Sequence, residues 1–434
     1  MKKLLRTVTA LACAAMLLGL AGCTGRSTLL READSARPLS YSERNNADLT
    51  AVAAGERAFA AQFSAAMYAQ AGQNEQFVLS PVSVYAGLSL AAACAAGETK
   101  AQLLSALGVT EGQLSAGFAP YYRSLMADGK DDKGKQRTRL QLANAIYVNE
   151  GTQVNEACLG TLASDYFCHS YSADFLNDNQ AANRAVTAFV KEQTNGLIDA
   201  DFGISEDTAF TLINALYLKD VWNEYGNDLP SAGDMVFSDA SGNGTTVPFL
   251  RGYYETGRPY EGSAFTSFFA ETFAGYRIHF LLPDEGRTAD EVFTAEVLTE
   301  LLTSADYRAV DEENKIRYYT RCLFPAFGGG CDENAAAVLQ ETFGVRDLFS
   351  PRKSDLTALT GDGAYCSEVR HIAKLTVDEK GIEGAAATVL PAAGAPGPDG
   401  YEEVHLDFAV DRAFGFVLTD RYGAVLFTGV IRSL

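Results

Sequence analysis

Residues 377–401 read VDEKGIEGAAATVLPAAGAPGPDGY, and this stretch decides the fold. At period two, one face carries Ile382, Gly384, Ala386, Thr388 and Leu390, and the other Gly381, Glu383, Ala385, Ala387 and Val389. The segment therefore has the alternation of a strand with side chains too small, and glycine too frequent, for an ordinary one. Pro391, Pro396 and Pro398, with Gly394, Gly397 and Gly400, then forbid regular structure until apolar alternation resumes at Leu406. A potential strand, an exposed small-residue tip and a return strand make a segment that is held out of a sheet it is suited to join.

The order of acid, glycine, acid and small residues in VDEKGIEGAAAT, followed after the tip by FAVDRAFGFVLTDRYGAVLFTGVI, resembles the hinge, reactive loop and closing strands of the serpins. Further segments fall in the same family order: FVLSPVSVYAGLSLAAACAAGETKAQLLSALG (77–108), AFVKEQTNGLI (188–198), NALYLKDVW (214–222), VPFL (247–250), IHFLLPDEG (278–286), LFPAF (323–327) and FGVRDLFS (343–350). The resemblance spans residues 50–433. It implies an α+β serpin fold with three β-sheets, eight or nine helices and an exposed reactive-centre loop at about 380–403.

The same resemblance implies a mechanism without catalytic residues, cofactor or metal in this chain. A target serine protease, or a cysteine protease, attacks the loop and forms an acyl-enzyme, and the cut loop enters the sheet before hydrolysis finishes. Glu379, Gly381, Ile382, Glu383, Gly384, Ala385, Ala386, Ala387 and Thr388 fall on the hinge. Ser80, Ser83, Asn214 and His371 fall on the network beneath the strands that part, and Trp222 falls at the sheet top near Glu379. Three residues depart from the family pattern. Ile382 replaces a Thr, Ser or Val, Gly384 replaces an Ala, and Phe189 stands where many relatives carry Trp.

Counted from the hinge, the scissile bond falls at Ala395–Pro396, where proline resists most serine proteases. A small shift places it after Ala393, before Gly394, or after Ala392. Each choice puts alanine ahead of the cut, and the tip holds no Lys or Arg, so an elastase-like or subtilisin-like enzyme is expected.

Residues 1–23 carry Lys2, Lys3 and Arg6, then an apolar run, then LAGC ending at Cys23. This resembles a bacterial lipobox: a signal peptide over 1–22 and a lipid-bearing Cys23, whose two acyl chains suffice for stable anchoring. The expected location is the outer face of the bacterial cytoplasmic membrane. Residues 24–48 have mixed charge and no sustained periodicity, so residues 23–48 are expected to form a flexible tether to a single domain over 49–434.

Without residues 1–22 the formal net charge moves from −20 to −23, which excludes a nucleic-acid partner for want of basic surface. The domain is expected to be a monomer. Four histidines and the absence of G-x-S-x-G, Walker and H-E-x-x-H patterns argue against a hydrolase or phosphate-transfer site.

Local structure follows from the same residues. Phe59, Phe63 and Met67 have helical spacing from about Leu49. Ser80 ahead of Pro81 is suited to cap a helix, and Asn195–Gly196 is a helix stop. The strands LQLANAIYV and FTLINALYL each set one asparagine, Asn144 or Asn214, in an apolar face, where the amide must find partners. GGG at 328–330 is expected to bend a strand. Of the six cysteines beyond Cys23, Cys158 and Cys168 are an open pairing. Cys322 and Cys331 are too far apart to pair if one extended strand carries both. Two other functions remain in view: a serpin fold that binds without inhibiting, and a solute-binding lipoprotein, for which the spring-like loop has no use.

Overall fold

The computed structural model describes residues 26–434 apart from 73–74, 131–133, 223–227, 362–363, 368 and 384–400. In chain order the elements begin β1 (Thr28–Arg31), α1 (Ala47–Ala71), β2 (Gln76–Leu79), α2 (Pro81–Cys94), α3 (Gly97–Leu107), α4 (Glu111–Leu125), β3 (Ala127–Lys130), β4 (Gln136–Asn149), α5 (Glu156–Asp165), β5 (Cys168–Ala173), α6 (Asn179–Gln193) and β6 (Phe210–Val221). They continue with β7 (Ser231–Ser238), β8 (Gly244–Thr256), β9 (Tyr260–Glu261), β10 (Phe265–Glu271), β11 (Arg277–Pro283), α7 (Ala295–Ser304), β12 (Val310–Asp311), β13 (Ile316–Pro325), β14 (Phe327–Asn334) and α8 (Ala336–Glu341). The chain closes with β15 (Arg370–Asp378), β16 (Gly381–Ile382), β17 (Glu402–Ala409), β18 (Phe414–Thr419) and β19 (Val425–Ile431). This is the expected α+β architecture, with eight α-helices among the described residues.

Hydrogen bonding gathers the strands into a 14-stranded and a 5-stranded sheet, the larger running β1-β5-β4-β6-β16-β15-β14-β2-β19-β18-β11-β10-β9. Three sheets were expected. The difference rests on the single parallel pair Gly330↔Phe77, which joins the two parts of the larger ladder.

β4 and β6 are paired antiparallel from Arg139↔Lys219 to Val148↔Phe210 and are covered on both faces. Leu140, Leu142, Ile146 and Val148 enter the main core with α1 and α2. The opposite parity, Ala143, Ala145, Tyr147, Ile213 and Ala215, packs under α6 around Phe189. Small residues on that face let the helix cross closely. α6 ends as its sequence predicts, with Asn195 at φ 53° and Gly196 at φ 83°.

Four expectations are corrected. Residues 24–48 are not a loose tether from Arg26 onward. Arg26 donates its N–H to Ala181 O at 3.2 Å, β1 pairs antiparallel with β5, Asp34 N–H reaches Ala163 O at 3.0 Å, and Glu43 holds both Arg37 and Arg123. These bonds use the backbone and surface charge, so no apolar period announces them.

Ser80 does occupy the position before Pro81, but its side chain makes no capping bond. The stretch holding Cys322 and Cys331 is not one strand. The chain leaves β13 in the smaller sheet and enters β14 in the larger one. The glycines of GGG lie inside β14, where a Cβ at Gly328, Gly329 or Gly330 would stand 2.8, 2.8 or 2.5 Å from a neighbouring carbonyl oxygen. They permit close strand packing; the change of direction falls before them.

Candidate functional site

The two residues of β16 lie between β15 and β6. Ile382 pairs with Val377 on one side and Asp220 on the other, and Gly381 pairs with Asp378 and Val221. Ile382 is fully buried in the main core. Gly381 has φ 145°, and a Cβ there would sit 2.1 Å from Asp220 O, so only glycine permits this approach. Glu383 follows with φ 58°, its N–H on Thr376 O at 3.2 Å. Its half-buried carboxyl is pushed up by burial while a Tyr217 hydrogen bond opposes the shift, and Oε2 has no protein partner. Gly384, Ala385, Ala386, Ala387 and Thr388, and the scissile candidates Ala392, Ala393, Gly394, Ala395 and Pro396, lie outside the described residues, as does Cys23.

The groups around the hinge end fix it in place. Trp222 is buried and donates Nε1–H to Asp378 O at 2.8 Å, with its ring 5.7 Å from that of Phe324. Glu379 accepts Leu229 N–H on its backbone oxygen at 2.6 Å, while its carboxylate faces Lys380 at the surface. Trp222 and Glu379 thus flank Asp378. Asp220, which the sequence reading did not single out, is fully buried beneath the hinge. Its carboxylate accepts from Thr138 Oγ1 at 2.5 Å and Ala274 N at 2.9 Å, and burial raises its pKa against those bonds. An acid set between Lys219 and Val221 at the end of a largely apolar strand was the available signal.

Beyond Ile382, among the described residues, no strand pairs β6 with β15. A cavity of about 70 Å³ opens there, lined by Ser83 and Gly87 of α2, Leu212 and Asn214 of β6, His371 of β15 and Phe202. Ser80 donates its backbone N–H to His371 Nε2 at 3.0 Å, and the Ser80 and Ser83 hydroxyls share a hydrogen bond of 3.1 Å. Burial pushes the His371 pKa down to about 4.

Asn214 stands apart from this trio. It donates to Asn144 Oδ1, Asn144 Nδ2 donates to Tyr166 O at 2.8 Å, and Asn214 Oδ1 has no protein partner. The structure therefore brings Ser80, Ser83 and His371 together, and Asn214, which lines the same cavity as Ser83 and His371, turns to Asn144 instead. The link between the two asparagines follows from their register pair, which neither segment reveals alone.

The remaining chemistry is structural in form. His279 bonds the Tyr307 hydroxyl at 2.9 Å and Thr419 Oγ1 at 3.3 Å, and burial lowers its pKa to about 3. His169 accepts Ala33 N–H at 3.3 Å, and His405 stacks on Tyr319 with 5.3 Å between ring centroids. The six described cysteines are free thiols; Cys158 meets Cys94 rather than bonding Cys168. Among the described residues no group of three or more His, Cys, Asp or Glu side chains is arranged to hold a metal.

Among the described residues, the large sheet seats the two residues of β16 between β15 and β6 at one end, and no further strand joins those two beyond Ile382. The family model for serpins, serine protease inhibitors, matches residues 54–434, and the chain belongs to that family. Serpin-ZX of Arabidopsis thaliana is 28% identical over 384 residues, covering 83% of this chain and 92% of its own. Among solved structures, the thermophilic serpin tengpin in its native state superposes with a TM-score of 0.72 at 23% identity, covering 94% of this chain and 100% of its own. Thyroxine-binding globulin in complex with thyroxine superposes with a TM-score of 0.68 at 20% identity, covering 88% of this chain and 98% of its own. The family's general activity is inhibition of proteases rather than catalysis.

Proposed function

We propose that this serpin is a suicide-type inhibitor of elastase-like or subtilisin-like serine proteases, with cysteine proteases as further targets, held by a lipidated Cys23 on the outer face of a bacterial cytoplasmic membrane. The observation that carries the reading is the seat of β16 in the slot between β15 and β6, which no other strand among the described residues joins. Continuing β16 along that slot would add residues 383–393, a length of roughly 36 Å, and would satisfy backbone groups on both neighbours. The uncut chain is then the less stable form, trapped by the covalent continuity of the loop. Cleavage after Ala392, Ala393 or Ala395 releases it while the protease is still an acyl-enzyme.

The test mixes the chain from residue 24 onward with an elastase and with a subtilisin, followed by denaturing gels and sequencing of the released C-terminal peptide. A covalent complex that survives denaturant supports the reading, and the first residue of the peptide identifies the bond. Cleaved protein with fully active protease in every mixture refutes it.

The second reading is a serpin fold that binds without inhibiting. It is favoured by Ile382, a large β-branched residue at the head of the inserting segment, and by Gly384, which weakens strand preference. Cleavage without a gain in heat resistance is its signature.

A further inference from the structure

The end of the large sheet opposite the hinge carries a group of exposed leucines and the entry of the chain. β5 runs parallel to β4, so Ala173 lies beside Asn149, and Phe210, at the start of β6, pairs with Val148. The hinge pair Gly381↔Val221 lies at the other end of β6. The twelve residues of β6 separate the two ends by roughly 36 Å. β1 begins at the far end, where Thr28 pairs with Ser172, and Arg26 is already fastened to Ala181.

From Cys23 to Arg26 is three residues, a span of at most about 11 Å whatever their conformation. Leu29, Leu30 and Leu176 are 49%, 39% and 58% exposed. Leu176 lies just beyond β5, with its N–H on Asn149 Oδ1. Exposed apolar side chains gathered beside an attachment point are suited to the headgroup boundary.

We propose that this end of the sheet rests on the bilayer, with Leu176 and the start of β1 toward the lipid, Leu29 and Leu30 flanking the contact on the two faces of the strand, and the hinge end directed outward. The occupant of the surface is the membrane that holds the Cys23 acyl chains, so the inference rests on the lipidation reading above. Arg26 and Arg31 lie on the strap, but Asp174 and Asp178 lie at the same end. Charge therefore contributes little attraction to an anionic surface, and the contact is expected to be insensitive to salt. The arrangement leaves the protease-facing end of the domain about one sheet length from the membrane.

The lone tryptophan supplies the measurement. The full lipoprotein, purified in detergent and reconstituted into phosphatidylcholine vesicles containing headgroup-nitroxide lipid, is read by Trp emission. Trp222, at the hinge end, is expected to be unquenched. The double variant Trp222→Phe, Leu176→Trp is expected to lose at least about half of its emission, as an aromatic at the membrane boundary does. Trp222→Phe with Phe273→Trp is expected to lose almost none, because exposed Phe273 lies beside Val221 at the hinge end. If Trp222→Phe does not fold, Leu176→Trp alone adds a quenchable fraction to an unquenched background.

A mature protein whose mass shows no lipid on Cys23 overturns the anchor reading and the proposal together. Lipidated protein with equal quenching at positions 176 and 273 overturns the proposal alone. So does an unquenched position 176 in a dimer paired through the exposed edge of β1.

Discussion

Ser80 meets His371 where the latter lines the cavity beside β6, the backbone N–H of Ser80 on Nε2 of His371 at 3.0 Å. The bond requires a neutral imidazole that accepts, and burial keeps it neutral by lowering its pKa to about 4. In the unfolded chain the same group titrates near 6.5. Between those values the unfolded state binds a proton that the folded state refuses, so stability falls as pH drops from 6.5 toward 4. The loss is about 1.4 kcal/mol per pH unit within that window. His371→Phe removes this slope. It also leaves the Ser80 N–H unpaired, at a cost of about 1–3 kcal/mol. Urea midpoints at pH 7.5, 6.5 and 5.5 check it: a variant as sensitive to acid as the parent shows that His371 is not the titrating group.

Glu56 predicts the opposite slope. It is fully buried on α1, with Oε2 accepting Val425 N–H at 3.3 Å and Oε1 without a protein partner. Burial, reinforced by nearby Asp420, raises its pKa from 4.5 to about 8 against the Val425 bond and Arg57. Here the folded state keeps a proton that the unfolded state has released. Its stabilising contribution is complete below 4.5 and is lost as pH rises to 8. Glu56→Gln keeps the acceptor and the volume without the charge. It is expected to raise the urea midpoint at pH 8.5 and flatten the decline between pH 5 and 8. An unchanged decline excludes Glu56 as its source.

Gly381→Ala tests the seat of the hinge. The added methyl would stand 2.1 Å from Asp220 O at a φ of 145°, which costs roughly 1–3 kcal/mol if the backbone holds. The cheaper response is for β16 to leave β6. Asp378, two residues before Lys380 and bonded to the Trp222 indole, would shift with it. Emission from the only tryptophan is expected to move to longer wavelength and the melting temperature to fall. An unaltered spectrum and melting curve mean that β16 is not held as described.

The strand at Gly381–Ile382 was legible in the period-two alternation that begins there, while the run of small side chains that follows lies outside the described residues. Helix ends such as Asn195–Gly196 were legible too, since the backbone angle selects the residue. The strap from Arg26 to Asp34 was not, because a four-residue strand bonded through its backbone, with Leu29 and Leu30 exposed, leaves no periodic trace. Nor was the division of the opening network. Whether Asn214 reaches His371 or Asn144 depends on the register between strands about seventy positions apart, and on the width of a cavity that no local pattern encodes. Asp220 escaped notice because burial of a carboxylate is set by its neighbours Thr138 and Ala274, far along the chain.

The two faces of the inserting segment should respond differently to charge. Ile382 points into the main core, and by strand alternation Ala386 would follow it toward the side of α2 and the cavity. Glu383 points to the other face, where it meets Tyr217 on the side covered by α6, and that face already holds one carboxyl. An arginine at 386 would have to be buried without a partner, a cost of several kcal/mol, and every 1.4 kcal/mol added to the insertion barrier slows insertion about tenfold. Acyl-enzyme hydrolysis then wins. On the proposed trapping mechanism, Ala386→Arg is therefore expected to make the chain a plain substrate, cleaved and released with the protease active, whereas Ala385→Arg retains most of the covalent trapping. The stoichiometry of inhibition against an elastase, measured for the parent and both variants, decides the matter: equal loss in the two variants would mean that insertion does not proceed with the parity of β16.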